Sequence, residues 1–151
     1  ISIIMDAYTT TRYGSTLPPH LTTREFFALA SEHMTTNGVL AYNVISQIHG
    51  WKADIVAGMY RTMKEVFPQV YLFPARSSRN VVLVGTKSGE FFDTARIQKE
   101  GAALVSSGVV GLPSYAERLQ CFINTPPPTA GLVPVLTDAY APVERLMRDG
   151  E

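Results

Sequence analysis

Apolar and polar positions alternate along this chain in blocks that define its elements. The opening segment Ile1-Ser2-Ile3-Ile4-Met5 reads as a strand buried on both faces, and it ends at Asp6. Such a strand normally has sheet neighbours on both sides. No cap or polar lead-in precedes it, so the expectation is a chain that starts inside a domain. A Thr-rich polar loop follows from Ala7 to His20, closed by Pro18-Pro19. Thr22 to Glu25 has the form of a capping box, which satisfies amide donors at a helix start. Phe26, Phe27, Ala30 and Met34 then recur at helical spacing, and Asn37-Gly38 closes that helix as a left-handed C-cap. Val39 to Val44 is a second strand. Ile55, Val56, Met59, Tyr60, Met63, Val66 and Phe67 mark a second amphipathic helix, which Pro68 stops.

Val70 to Phe73 and Val81 to Thr86 are the next two strands, joined by the short polar stretch Pro74 to Asn80. So short a link cannot hold a crossover helix, and the two strands are expected to pair antiparallel. A helix follows near Thr94 to Ser106, with a shorter one near Tyr115 to Cys121. Residues 124–136, with Pro126-Pro127-Pro128, read as an extended connector over the surface, and a last short helix is expected to start at Pro142. The order β-α-β-α-β-β argues for an α/β fold, with a mostly parallel sheet between helices on both faces. A terminal antiparallel strand pair is what Rossmann-like, class I methyltransferase-like sheets carry at that end, an analogy at the level of fold. The whole of 1–151 is expected to form one partial domain.

Composition narrows the function classes. Hydrophobic residues make up 46% and charged residues 17% of the 151, a balance that supports a buried core. Thirteen basic residues offset thirteen acidic ones, so there is no electrostatic case for nucleic acid or for an anionic membrane surface. One cysteine, Cys121, excludes an internal disulfide framework and a cysteine-based zinc site. No apolar run approaches the roughly 20 residues that span a bilayer, and no signal-peptide pattern is present, so a cytoplasmic location is the expectation.

Asp6 is the sharpest candidate for chemistry. It ends a buried strand, where open α/β sheets bind ligands. It is either a base or amine-binding carboxylate, or a cap for the following turn. His20, after Pro19, is a pocket-lining imidazole or a hydrogen-bonded loop residue. Asn43, near the end of the second strand, faces the same crevice as Asp6 or holds a loop. Asp138, Tyr140 and Glu144 cluster after the connector, where Asp138 either closes a pocket or satisfies local amides. Arg76 and Arg79 read as a solvated hairpin tip. His20, His33 and His49 have no metal-ligand spacing, so no metal site is expected. The chain has no Gly-x-Ser-x-Gly elbow after a strand and no phosphate-binding glycine loop, which disfavours a serine hydrolase and a P-loop enzyme.

Three segments in order resemble the spermidine synthase-like (polyamine aminopropyltransferase) family. They are Ile3-Ile4-Met5-Asp6-Ala7-Tyr8, then Leu17 to Phe27 (Leu-Pro-Pro-His-Leu-Thr-Thr-Arg-Glu-Phe-Phe) with Asn37 to Ala41 after it, and Val135 to Glu144 (Val-Leu-Thr-Asp-Ala-Tyr-Ala-Pro-Val-Glu). The resemblance is to a divergent member and covers the C-terminal half of the family's domain. It implies a Rossmann-like sheet and transfer of an aminopropyl group from decarboxylated S-adenosylmethionine to an amine, with no tightly bound cofactor. Asp6 would be the catalytic residue that orients and deprotonates the amine. It implies substrate contacts for Tyr8, His20, Asn43, Asp138 and Tyr140, and a place for Asp6 and Ala7 beside the cosubstrate. Polyamine-forming members carry a second Asp three residues after the first, and Thr9 stands there. The family's glycine-rich loop and acidic ribose-binding strand lie upstream of these segments. The chain alone is therefore expected to bind S-adenosyl compounds weakly and to be inactive by itself. The alternatives are an S-adenosylmethionine-dependent methyltransferase, or a non-catalytic interaction module on a remnant fold. Expected partners are a small amine and either a second copy or a missing N-terminal half.

Overall fold

The computed structural model describes residues 1–12 and 14–148. Its main sheet has four strands in the order β1-β4-β6-β5: β1 is Ile3–Met5, β4 Val39–Ile45, β5 Gln69–Pro74 and β6 Asn80–Thr86. β1 and β4 are parallel, with Ile3 opposite Leu40 and Met5 opposite Tyr42. The antiparallel pair expected from the short link is present as β5 and β6. β6 is also inserted between β4 and β5, pairing antiparallel with β4 from Val39↔Thr86 to Ile45↔Asn80. Three strands thus run one way and β6 runs against them. The helices are α1 (Arg24–Glu32), α2 (Ala53–Lys64), α3 (Thr94–Ser106), α4 (Tyr115–Arg118) and α5 (Val143–Leu146).

Side-chain alternation decides which face of the sheet makes the core. Leu40, Tyr42 and Val44 of β4 and Val81 and Leu83 of β6 are buried on one face. Phe27 and Ala30 of α1 and Ile55, Val56, Met59 and Met63 of α2 cover them. Gly85 lets α2 and its C-terminal extension come this close, because a Cβ there would lie 2.5 Å from Phe67 Cδ2. On the opposite face, Tyr71 and Phe73 of β5 stack with Phe122, with ring centroids 5.1 and 5.5 Å apart. Ile123 and Leu72 exchange two 2.9 Å backbone bonds that cover the outer edge of β5.

Several sequence expectations need correction. Among the described residues β1 lies at the end of the sheet and only one of its faces is covered: Ile3 and Met5 turn toward the core, while Ile4 on the other face is 83% exposed. The polar loop contains a hairpin, β2 (Thr9–Thr11) with β3 (Gly14–Thr16), since a run of β-branched threonines suits a strand and Gly14 adopts a φ of 114°. α1 is capped by Thr23, whose hydroxyl accepts the Phe26 N–H, and Thr22 instead donates to the Pro19 carbonyl. The connector does not simply cross the surface. Val133 and Leu136 are buried in the core, and Ala130–Leu132 forms a 3-10 turn. Pro142 caps α5 rather than opening it.

The direction of α1 places the candidate residues. Its C-terminal end lies at the start of the strands: the Ile1 amino group donates to Thr35 Oγ1, and Lys87, just past β6, donates to the Ser31 and Met34 carbonyls. The N-terminus of α1 therefore lies toward the carboxyl ends of β1 and β4, the same edge as Asp6. Among the described residues, no helix is long and apolar enough to cross a membrane.

Candidate functional site

Asp6 is exposed at the carboxyl end of β1, and its Oδ1 accepts a 3.0 Å hydrogen bond from Asn43 Nδ2. The register explains this pairing. Met5 lies opposite Tyr42, so the next residue of each strand, Asp6 and Asn43, leaves the sheet side by side. Asp6 is thus held by a neighbouring strand rather than capping the following turn. The Asn amide fixes one carboxylate oxygen, and the other has no hydrogen-bond partner among the described residues.

Tyr8 adds a phenol to this corner. Ser46 N–H bonds the Arg79 carbonyl on the β6 side, so the preceding N–H, that of Ile45, points toward β1. β1 has already ended there, and the Tyr8 hydroxyl accepts this N–H in its place. Burial raises the Tyr8 phenol above its ordinary pKa, the Ile45 N–H opposes that shift, and the Asp6 carboxylate adds to it. Behind it lies Tyr42, fully buried, with a hydroxyl that has no hydrogen-bond partner among the described residues. Burial, and then Tyr8, push its phenol pKa up strongly. Both phenols stay protonated at neutral pH.

His20 and Asp138 meet in a different place. They line a cavity of about 900 Å³ at the start of α1, together with Glu25, Phe26 and Leu29. Asp138 Oδ1 accepts a 2.6 Å hydrogen bond from Thr23 Oγ1, and the Asp138 N–H donates to Glu25 Oε2 at 3.0 Å. The Glu25 carboxyl is held below its usual range, chiefly by backbone N–H donors. Tyr140 is half exposed, in a turn where it and Thr137 exchange backbone hydrogen bonds. Ala7 is half-buried between Asp6 and Tyr8 and contributes only backbone.

Two features escaped the sequence reading. Arg76 is no free hairpin tip. It donates to Cys121 Sγ, to Glu117 Oε1 at 2.9 Å and to Gln120 Oε1, which ties the β5–β6 turn to α4. The other is a pair of cations gathered on Trp51. Lys52 Nζ lies 4.6 Å and the Arg79 guanidinium 4.8 Å from the Trp51 ring centroid. Lys52 holds a left-handed φ of 54°, and Ser46 Oγ donates to its carbonyl at 2.7 Å. Gly50-Trp51-Lys52 just past a strand end was the available signal. Among the described residues, no group of three or more His, Cys, Asp or Glu is placed to hold a metal ion.

No protein-family model matches the chain, and no curated protein matches it. A similar solved structure is the crystal structure of a probable spermidine synthase from Corynebacterium glutamicum, at 22% identity and a TM-score of 0.51. The match covers 69% of this chain and 37% of that protein's length. At this identity the likeness shows the fold alone, a spermidine synthase-like α/β fold.

Proposed function

We propose that this chain supplies the acceptor side of an aminopropyltransferase-like enzyme. Its donor would be decarboxylated S-adenosylmethionine and its acceptor a small amine. The observation that carries the reading is Asp6, set at the carboxyl end of a parallel strand with one oxygen fixed by Asn43. An alkyl amine with a pKa of about 10 arrives as an ammonium. The free oxygen of Asp6 orients it and accepts a proton, which frees the nitrogen lone pair. The nitrogen then attacks the carbon beside the sulfonium. An N–C bond forms, the C–S bond breaks, and its electron pair leaves with sulfur as a neutral thioether. The sulfonium is already a good leaving group, so orientation governs the rate more than acid–base strength does.

Asp6→Asn tests this on the natural protein that carries the chain. The variant keeps the Asn43 contact through its amide oxygen but cannot accept the proton. We expect at least a hundredfold loss of transfer with little change in stability. Transfer that survives the substitution would remove Asp6 from the mechanism. The shared sheet also suits methyl transfer, and calorimetry separates the two readings: tighter binding of S-adenosylmethionine than of its decarboxylated form favours methyl transfer. The exposed edge of β1 favours the third reading, an interaction module. That reading takes over if neither compound binds.

A further inference from the structure

We infer that the acceptor carries a single ammonium at the end of an apolar, aliphatic body and is not a diamine. This rests on the amine-binding reading of Asp6 and adds the substrate class. The observation behind it is the face of the sheet on which Asp6 stands. Successive side chains of a strand point to opposite faces. Ile3 and Met5 pack on the core with Leu40 and Tyr42, so Ile4, opposite Ala41, belongs to the outer face. Asn43 follows Ala41 by two positions on that face, and Asp6, two positions after Ile4, is bonded to it there.

The register then fixes what lies beside the carboxylate. On β6, Val84 is opposite Ala41 and Val82 opposite Asn43, and Phe73 of β5 is opposite Val82. Ala41, Val82 and Val84 are half-buried, and Ile4 is exposed. Together they make an apolar shelf that begins beside Asp6 and ends against Phe73 on β5. Neighbouring strands lie about 4.8 Å apart, so the shelf runs about 10 Å from β1 to β6, room for several methylenes. No charged residue occurs in β1, β4, β5 or β6, and none of Ala7 to Thr11 is acidic. Asp6 matches one ammonium. The second ammonium of a diamine would lie over apolar side chains with no carboxylate to pair it, and shedding its water there is costly. A methyl group in the same place gains by leaving water.

Pentylamine and 1,4-diaminobutane test this, because they have the same length and differ only in a terminal methyl or ammonium group. Both are titrated into the unaltered chain, with amide chemical shifts as the readout. Pentylamine should bind roughly five- to tenfold more tightly. From propylamine to heptylamine, affinity should rise roughly twofold per methylene, because an open face covers only one side of the chain. The double variant Ile4→Thr with Val84→Thr keeps β-branched residues in both strands. It should flatten that series and leave methylamine binding unchanged, with circular dichroism verifying the fold. Asp6→Asn should weaken every amine. Equal binding, or a preference for diaminobutane, with Asp6 dependence retained, would overturn this inference and leave the amine site standing. A chain-length series that survives the double variant would do the same. If no amine binds in an Asp6-dependent way, the amine-site reading fails and this inference fails with it.

Discussion

Replacing Thr62 by valine should release the connector from the core. Thr62 is fully buried on α2, and its hydroxyl donates to the Gly58 carbonyl at 2.7 Å while accepting the Leu136 N–H at 2.8 Å. Valine has nearly the same shape, so packing is preserved and the hydroxyl alone is lost. The Leu136 N–H, on a residue with no exposed surface, would then be buried without an acceptor. Leaving a buried donor unpaired costs about 1–3 kcal/mol. Thr62→Ser is the control, because it keeps both hydrogen bonds and loses one methyl group, about 0.8 kcal/mol. Urea denaturation should therefore rank the proteins as unaltered, then Ser, then Val. Hydrogen exchange of the Leu136 amide gives the local readout, and about 1–3 kcal/mol corresponds to roughly 5–150-fold less protection. If Thr62→Val matches or exceeds the serine variant in stability, with Leu136 protection unchanged, the hydroxyl does not anchor the connector.

Two further outcomes follow from burial. Gly85→Ala would place its Cβ 2.5 Å from Phe67 Cδ2 and 3.0 Å from Met63 Cε, so denaturation should show a loss of about 1–3 kcal/mol; an unchanged midpoint would show that Phe67 can move aside. Tyr8, Tyr42 and Tyr60 all have phenols raised above the ordinary 10.0, so the unfolded chain loses these protons first. Their contribution is complete below pH 10 and falls as pH rises beyond it, by up to about 1.4 kcal/mol per pH unit for each tyrosine. Tyr42→Phe should flatten that loss in urea titrations between neutral and alkaline pH.

The elements that sequence located best are those whose burial pattern is local. α2 shows its apolar face at helical spacing, and the short link between β5 and β6 leaves an antiparallel turn as its outcome. The insertion of β6 between β4 and β5 is not local, since nothing in Asn80 to Thr86 distinguishes a neighbour at Gln69–Pro74 from two neighbours. β1 misled for a related reason. Ile3, Ile4 and Met5 look alike as residues, and only the parallel register with β4 turns Ile4 outward. At the site, Asp6 and Asn43 were legible because both end strands. The Lys52 and Arg79 pair was not, because it depends on Ser46 holding two segments that lie 27 positions apart in the chain.

The same geometry divides the residues that carry the family resemblance into two kinds. Segments Leu17 to Phe27 and Val135 to Glu144 are bonded to each other: Arg24 N–H to the Leu136 carbonyl at 2.8 Å, Thr23 Oγ1 to Asp138, and the Asp138 N–H to Glu25. A similar pattern in both segments is what a shared way of starting α1 would produce, whatever the reaction. Asp6, with Asn43, has no such task, and its second oxygen has no hydrogen-bond partner among the described residues. The two aspartates should therefore separate experimentally. Asp138→Ala removes the acceptor of the Thr23 hydroxyl and should cost about 0.5–1.5 kcal/mol in urea denaturation, while amine binding is retained. Asp6→Ala should do the reverse, with stability nearly unchanged and amine binding lost. If Asp138→Ala abolishes binding at full stability, the cavity with His20 belongs to the acceptor site, and the division drawn from these hydrogen bonds is wrong.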